Sequence, residues 1–238
     1  MNFQGKVALV AGGTGALGRE VAMAFLESGA TVVVTYRRAE EFEAFVAAAQ
    51  TNGAPVPFGA KVDVTDAAAV EAMIASVVAQ HGRLDILVNA VGGYAGGQKI
   101  WESSPETYVR MMALNLQSGF ALARAAVPVM VRQNRGWIVN VASKAAYGNS
   151  PGAALYSASK AGALALFDSL AGEVKPYNIN VNSIVPSIFD TAANRQAMPS
   201  ADFAKWPKPE EIARVVLFLC SEDAHVIHGA AIPVCGHT

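Results

Sequence analysis

The sequence predicts an α/β protein built on one doubly wound parallel sheet of about seven strands, with helices on both faces. Continuous apolar strand patterns alternate with helical patterns along all 238 residues, as expected for a parallel sheet buried on both sides. A glycine-rich turn joins the first strand pattern to the first helix pattern. No internal repeat or linker interrupts the alternation, so we expect residues 1–238 to form a single domain.

Short apolar runs rich in β-branched residues predict the strands, and longer periodic stretches predict the helices. The predicted strands are Lys6–Ala11, Thr31–Tyr36, Pro57–Val62, Ile86–Asn89, Trp137–Val141, Asn180–Val185 and Ala230–Val234. The predicted helices are Ala16–Ser28, Glu40–Asn52, Ala67–His81, Pro105–Arg132, Leu155–Val174 and Glu210–Leu219. Asp66 is expected to cap the third helix, and Pro128 to kink or split the fourth. The least regular stretch, residues 187–208, is a candidate lid over a binding site.

Composition excludes several classes of function. The net charge of −1 gives no field that would attract nucleic acid or an acidic membrane. Charged residues make up 16% of the chain, below the ~25% of an average domain, which predicts apolar surface buried between subunits. Cys220 and Cys235 lack metal-ligand spacing. Neither a leader peptide nor a run of ~18 uncharged apolar residues is recognisable, so we expect a cytoplasmic protein without a membrane partner.

The glycine-rich turn, GGTGALG, lies at residues 12–18 between a strand and a helix. Glycines let the backbone approach a pyrophosphate closely, and the helix amino terminus supplies free N–H groups and a positive dipole end. This context predicts a dinucleotide site in a Rossmann-type fold. The candidate cofactor-binding residues of the turn are Gly12, Thr14, Gly15, Ala16, Leu17 and Gly18.

The end of the second strand indicates which dinucleotide binds. An acidic side chain at this point holds the ribose 2′-hydroxyl of NAD, whereas arginine accommodates the 2′-phosphate of NADP. The sequence reads Thr35-Tyr36-Arg37-Arg38, with no carboxylate until Glu40. We therefore predict that NADP(H) binds in preference to NAD(H), and that Arg37 and Arg38 bind it. The alternative, a solvated residue at the start of a helix, fits Arg38 better than Arg37.

Ser143, Tyr156 and Lys160 form the candidate proton-transfer group. Tyr156 and Lys160 are four positions apart, so on a helix they share one face. Ser143 precedes them across a Gly- and Pro-containing loop that can bring it alongside. A hydroxyl, a phenol and an ammonium that converge can give a proton to a carbonyl oxygen while hydride arrives at its carbon.

Together these motifs resemble the short-chain dehydrogenase/reductase family over essentially the whole chain. Ser143 and the Tyr156–Lys160 spacing match its catalytic serine and Y-x-x-x-K motif, and Asn115 in ALNL matches its helix asparagine. The resemblance implies that Tyr156 is the general acid and that Ser143 orients the substrate oxygen. It also implies that Lys160 lowers the Tyr156 pKa from ~10 toward 7 and bonds the nicotinamide ribose. Asn115 would hold a relay water.

The same resemblance implies the remaining cofactor contacts. The glycine turn is similar to T-G-x-x-x-G-x-G with Ala16 in place of the middle glycine, but it also reads as G-x-G-x-x-G, and both registers stay open. Asp63 and Val64 resemble the pair that holds the adenine ring. The LVNAVG and PSIFDT segments resemble the family's LVNNAG and PGxxxT. Their candidate cofactor residues are Asn89, Gly92, Pro186, Ile188 and Thr191, to which Tyr156 and Lys160 are added.

Two segments are similar to a narrower group, the quinonoid dihydropteridine reductases. Residues 92–97 (GGYAGG) look like that group's GGWAGG, and residues 190–206 look like its D-T-x-x-N-R-x-x-M-P-x-A-D-F-x-x-W. Ser143 departs from that group, so the lid resembles it while the substrate can differ. The candidate substrate residues are Tyr94, Tyr147, Phe189, Met198, Phe203 and Trp206, which suit a flat or partly apolar molecule or pack within the lid.

The sequence thus predicts an NADP(H)-dependent oxidoreductase that transfers hydride to a carbonyl or quinonoid imine of a small molecule. One branch is a dihydropteridine-type substrate, and the other is a ketone, 3-oxoacyl thioesters included. A dinucleotide sensor without turnover is the alternative of another class. The apolar helices at residues 105–132 and 155–174 predict a homodimer or homotetramer, as is common in the family.

Overall fold

The computed structural model describes residues 1–148 and 150–238, and in this part of the chain seven strands form one parallel sheet. The strands are β1 (Val7–Ala11), β2 (Thr31–Tyr36), β3 (Phe58–Lys61), β4 (Ile86–Asn89), β5 (Gly136–Val141), β6 (Ile179–Pro186) and β7 (Ala231–Val234). Their order across the sheet is β3-β2-β1-β4-β5-β6-β7. The predicted doubly wound fold is confirmed.

Helices cover both faces of this sheet. They are α1 (Ala16–Glu27), α2 (Ala39–Thr51), α3 (Ala67–His81), α4 (Pro105–Met112), α5 (Ser118–Gln133), α6 (Ala154–Val174), α7 (Ala192–Ala197) and α8 (Pro209–Leu219). Alternate side chains of each strand enter opposite cores, as the strand repeat requires. In β1, Ala8 and Val10 join the core under α1 and α8, whereas Val7, Leu9 and Ala11 join the core under α3, α5 and α6.

The strand order reverses beside β1. From β1 the chain winds outward to β2 and β3, then returns to β4 on the other side of β1 and winds outward again to β7. Ligands of open α/β sheets bind at the carboxyl ends of the strands where the order reverses. The loops after β1 and β4 therefore border the position at which a ligand is expected.

Every bound predicted from the sequence for these strands and helices lies within one residue of the observed bound. Asp66 caps α3 as predicted, because its carboxylate accepts from the N–H groups of Ala68 and Ala69 at 2.9 and 3.1 Å. The prediction for the fourth helix is wrong in one respect. Pro128 lies inside α5 without splitting it, and the irregularity is instead a π-helical segment at Ala113–Gln117 between α4 and α5.

The helical stretch Pro105–Gln133 is long and apolar enough, by length and composition, to cross a membrane. From the sequence, no such stretch was expected. Half of its most apolar window is buried inside the structure. The stretch contacts α3 and α6 in the core below the sheet. It is therefore a core helix of the α/β fold.

Candidate active site

The glycine-rich turn after β1 is shaped for a bound anion. A Cβ atom on Gly18 would lie 2.1 Å from the Gly12 carbonyl oxygen, so only glycine allows α1 to start this close to the turn. The Gly12 N–H donates to Thr35 Oγ1 at 2.9 Å, which ties the turn to β2. Gly15, the N-cap of α1, provides no side-chain cap, and the first turn holds no acidic residue. These features fit the phosphates of a dinucleotide.

A cavity of about 200 Å³ runs from this turn along the carboxyl ends of β2, β3 and β4. Predicted cofactor residues on its wall are Gly12, Thr14, Gly15, Arg37, Asp63, Val64 and Gly92. Other lining residues were not predicted as cofactor residues, namely Thr35, Tyr36, Glu41, Val62, Ala90, Val91 and Leu114. Most of them lie at or just after the end of a predicted strand and flank a predicted motif, and this position could have indicated them.

Arg37 and Arg38 have different surroundings. Arg37 lines the cavity, whereas Arg38 is exposed and forms an ion pair with Glu41. Glu41 also lines the cavity and accepts a hydrogen bond from Thr14 Oγ1 at 3.2 Å. The Arg38 hydrogen bond holds the pKa of Glu41 below its usual range. No carboxylate stands at the end of β2 itself, but the first turn of α2 brings Glu41 to the glycine-rich turn.

Asp63 follows β3 and faces the same cavity. Its carboxylate accepts from the Thr65 N–H at 2.9 Å and from the Thr65 hydroxyl at 2.7 Å. These bonds lower the pKa of Asp63, and the nearby charge of Arg37 adds to the effect. Asp63 is thus an anion at neutral pH, fixed at the cavity wall. Its contact with an adenine ring stays a prediction.

Polar side chains connect the carboxyl ends of three neighbouring strands. Asn89 Nδ2 donates to Asn140 Oδ1 at 3.1 Å, and Asn140 Nδ2 donates to Ser183 Oγ at 3.4 Å. Asn89 Oδ1 also accepts from the Val91 N–H at 3.3 Å. Asn89 is buried and does not line the cofactor-type cavity. This ladder fixes β4, β5 and β6 relative to one another where the candidate catalytic residues begin.

Ser143, Tyr156 and Lys160 come from two elements. Ser143 follows β5 and accepts from the Ala145 N–H at 3.2 Å, while Tyr156 and Lys160 lie in the first two turns of α6. The Ser143 side chain lies near the Tyr156 phenol and favours its ionised form. Lys160 is buried and donates from Nζ to the Val141 carbonyl at 2.8 Å. The structure therefore brings the predicted serine, tyrosine and lysine to one edge of the sheet.

The environment shifts the pKa values of both ionisable groups. Burial raises the pKa of the Tyr156 phenol, the nearby Ser143 side chain opposes this rise, and Tyr94 adds to it. Burial lowers the pKa of Lys160 to about 8. In the protein alone, desolvation of the phenolate thus outweighs the effect of Ser143. The lowering of the Tyr156 pKa by Lys160 together with an oxidised nicotinamide stays a prediction. At neutral pH Tyr156 carries its proton, and Lys160 can exchange one.

Asn115 lies in the π-helical segment with its amide fully engaged. Oδ1 accepts from the Gly93 N–H at 2.9 Å, and Nδ2 donates to the Gly93 carbonyl and to Ser159 Oγ, each at 3.0 Å. A Cβ atom on Gly92 would meet Asn115 Oδ1 at 2.9 Å and Lys160 Nζ at 3.0 Å. Asn115 therefore connects α6 to the loop after β4. Its role in a water relay stays a prediction.

The candidate substrate residues have unequal positions. The Tyr94 ring meets the Tyr156 ring edge to face, with 5.1 Å between centroids, and most of it is exposed. Tyr147 and Met198 are exposed, whereas Trp206 is only 7% exposed and packs on Phe203 at 4.9 Å. Tyr94 is thus the aromatic side chain in contact with the candidate proton donor. For Trp206 a substrate contact stays a prediction, and the structure shows packing within the lid segment.

The lid segment, residues 187–208, is more regular than predicted, because it contains α7 and a turn of 3-10 helix at Phe203–Lys205. Asp190 pairs with Arg195 at 2.5 and 2.7 Å. Asn194 donates to the Phe189 carbonyl at 2.8 Å, and Thr191 caps α7 by accepting from the Asn194 N–H at 3.1 Å. The D-T-x-x-N-R part of the dihydropteridine-reductase-like motif is therefore explained by folding of the segment itself. Two other predicted cofactor residues, Pro186 and Ile188, lie at the end of β6 and just after it.

The fold and this edge of the sheet define a dinucleotide-binding α/β protein of the oxidoreductase class. The chain belongs to the short-chain dehydrogenase/reductase family, since the family model described as short chain dehydrogenase matches residues 6–202. Members of this family use a nicotinamide cofactor and transfer hydride. The family predicted from the motifs is confirmed.

Individual relatives match nearly the whole chain. The 3-oxoacyl-[acyl-carrier-protein] reductase FabG of Thermotoga maritima is 31% identical over 99% of this chain and 98% of its own length. Human dehydrogenase/reductase SDR family member 4 is 34% identical over 98% of this chain and 87% of its own length. A crystal structure of NAD+-bound xylitol dehydrogenase superposes with a TM-score of 0.91 at 28% identity, covering 99% of this chain and 100% of that one.

Proposed function

We propose that this protein is an NADP(H)-dependent reductase that transfers hydride to the carbonyl carbon of a small molecule, with Tyr156 as the proton donor. One observation carries the proposal: a half-buried, protonated Tyr156 lies with Ser143 and the buried Lys160 next to the carboxyl end of β5, on the side of the sheet where the dinucleotide-type cavity opens. The cofactor supplies the hydride when it is bound. The side chains of this chain supply the proton and hold the substrate oxygen.

Each candidate residue has a role that its contacts support. Tyr156 gives its phenolic proton to the developing alkoxide, which is general acid catalysis. Ser143 donates to the same substrate oxygen and orients it. Lys160, with a pKa of about 8, returns a proton to the phenolate from the solvent side. Asn115 keeps Lys160 and the loop after β4 in position through Gly93 and Ser159.

The pKa directions favour reduction over oxidation at neutral pH. Reduction needs a protonated Tyr156, and burial keeps the phenol protonated. Oxidation of an alcohol needs the phenolate as a base, which becomes populated only as the pH rises toward the raised pKa. We infer that at neutral pH Tyr156 holds the proton that carbonyl reduction requires.

The preference for NADP(H) is supported by Arg37, whose side chain lines the cavity while Arg38 is occupied by Glu41. A guanidinium matches a 2′-phosphate in charge and geometry. The Glu41 carboxylate on the same wall opposes a 2′-phosphate, and this limits the size of the preference. We infer that NADPH binds better than NADH, with measurable use of both.

Replacing Arg37 with Asp should weaken NADPH binding by about 10- to 100-fold, because a charge-assisted phosphate contact is lost and a repulsive charge is added. NADH binding should change by less than about threefold. Fluorescence titration with both cofactors measures the two dissociation constants. Arg38→Gln is the matched control, and its smaller effect is expected because Glu41 already occupies that guanidinium. If Arg37→Asp weakened the binding of NADPH and NADH equally, the proposed preference for NADP(H) would be contradicted.

Oxidation of NADPH in the presence of a substrate panel tests the proposed function itself. The panel contains an aryl ketone, a 3-oxoacyl thioester, a quinone and a quinonoid dihydropterin. Turnover of a ketone or thioester supports the proposal. Turnover of the pterin alone supports the quinonoid imine branch, which the exposed Tyr94 ring beside Tyr156 favours as a platform for a flat molecule. Tight NADPH binding without any turnover supports a dinucleotide sensor instead.

A second copy of the chain is the proposed protein partner. Phe120, Val127, Leu166 and Leu170 of α5 and α6 line an apolar depression on the surface, and about half of the Phe120 side chain is exposed. Burying this face between copies removes apolar area from water. We infer a homodimer, or a homotetramer built from two such pairs, that acts on a small carbonyl compound in the cytoplasm.

A further inference from the structure

A second cavity, of about 440 Å³, is lined in part by Tyr94. The Tyr94 ring contacts Tyr156, and Leu155, which also lines the cavity, directly precedes Tyr156. α4 contributes Thr107 and Arg110 to the wall. A molecule whose carbonyl group reaches Tyr156 can therefore extend into this cavity.

Arg110 is the charged side chain among the residues that line this cavity. It is exposed and takes part in none of the ion pairs found among residues 1–148 and 150–238. Glu106, one helical turn before it, is likewise in none of these ion pairs. The guanidinium thus has no carboxylate partner within the described part of the chain.

The rest of the cavity wall is uncharged, and part of it is polar. Gln98, Ser103 and Thr107 contribute an amide and two hydroxyl groups. The Ser103 hydroxyl donates to the Lys99 carbonyl at 3.2 Å, and the Thr107 hydroxyl lies 3.3 Å from Ser104 Oγ. A cavity with one unpaired cation and neutral hydrogen-bonding groups is suited to an oxyanion, because guanidinium binds carboxylate and phosphate through paired hydrogen bonds.

We propose that this cavity is a substrate subsite in which Arg110 binds a carboxylate or phosphate group of the molecule reduced at Tyr156. The proposal rests on the proposed function and narrows it, because the substrate class becomes an anionic carbonyl compound. Arg110 is then a specificity-determining residue, since it touches the substrate away from the reacting atoms.

Three aryl ketones of similar size test this subsite: 3-acetylbenzoate, 3-acetylphenyl phosphate and the neutral 3-acetylbenzamide. The native enzyme should prefer at least one anionic ketone over the amide by about tenfold or more in kcat/KM. Arg110→Gln should lower kcat/KM for that ketone by about 10- to 100-fold, mainly through KM, because the contact is equal in ground and transition states. The amide should be unaffected, and whichever anion shows the larger ratio identifies the group.

Two further variants serve as controls. Arg110→Lys should keep part of the preference, and Arg132→Gln, which removes an exposed arginine near the end of α5, should keep all of it. Equal kcat/KM for charged and neutral ketones in the native enzyme would overturn the proposal. Parallel losses on both in Arg110→Gln would overturn it as well.

A binding measurement separates this inference from the proposed function. If none of the ketones is reduced, the proposed function fails, but calorimetric titration of the NADP+-loaded protein with 3-acetylbenzoate and 3-acetylphenyl phosphate still tests the subsite. Binding of either anion that is at least about tenfold weaker in Arg110→Gln supports it. Equal binding to both proteins, or binding to neither, overturns it.

Discussion

Replacing Tyr156 with Phe is expected to lower kcat for ketone reduction by a factor of at least about 100, because it removes the general acid. Only the hydroxyl group is lost, so the ring can keep its edge-to-face contact with Tyr94. NADPH affinity should stay within about threefold of the native value, since Tyr156 does not line the cofactor-type cavity. Stopped-flow turnover and cofactor titration measure these two quantities separately.

Tyr177→Phe is the matched control, because that phenol is exposed in the turn after α6. Its kcat should equal that of the native protein. A Tyr156→Phe variant with near-native kcat would contradict the role of Tyr156 as proton donor. A variant that also loses cofactor binding would show a structural rather than a chemical role.

Replacing Lys160 with Met is expected to stabilise the protein at pH 7 while abolishing most turnover. The folded-state pKa of Lys160 is about 8, below the ordinary value of 10.5, which corresponds to roughly 3 kcal/mol against the buried ammonium. Met fills a similar volume without a charge, but it leaves the Val141 carbonyl without the Lys160 hydrogen bond, at a cost of about 1 to 2 kcal/mol. The expected net gain at pH 7 is about 1 to 2 kcal/mol.

The pH dependence of this stabilisation follows from the direction of the shift. Folding favours neutral Lys160, so the destabilisation by the ammonium is fully present below pH 8 and decreases as the pH rises toward 10.5. The difference in stability between Lys160→Met and the native protein should therefore change by about 2 to 3 kcal/mol between pH 7 and pH 10, so that the variant is the less stable protein at pH 10. Urea unfolding of both proteins at the two pH values measures it. A difference in stability that is independent of pH would contradict a desolvated ammonium.

Local pattern in the sequence was sufficient for the strands and helices, because apolar periodicity and turn residues act over short distances. It failed at Ala113–Gln117, where the π-helical geometry accompanies hydrogen bonds from Asn115 to Gly93 and Ser159, residues far away in the chain. Pro128 was the visible local signal, and it caused no break.

The residues of the candidate site could be predicted where a sequence motif identifies them. Properties that depend on the surroundings of a residue in the fold could not. The positions of Ser143, Tyr156 and Lys160 followed from spacing, but the direction of the Tyr156 pKa shift depends on burial by other elements. The place of Glu41 in the cofactor-type cavity depends on how α2 starts after Arg38. Similarly, no sequence motif includes Arg110, and its candidate role as a substrate-binding residue follows only from the cavity that it lines.

The π-helical segment makes the length of this helix as important as its composition. A π turn accommodates an additional residue within an α-helix, and each residue of an α-helix turns the chain by about 100°. Deleting one residue from Ala113–Gln117 would let the segment close into a regular α-helix, so α4 and α5 would keep nearly the same rotation about the helix axis. The wide turn that presents Asn115 to Gly93 and Ser159 would be lost. Substitutions that spare Asn115 should be tolerated in this segment, whereas a one-residue deletion would break the link between α6 and the loop after β4.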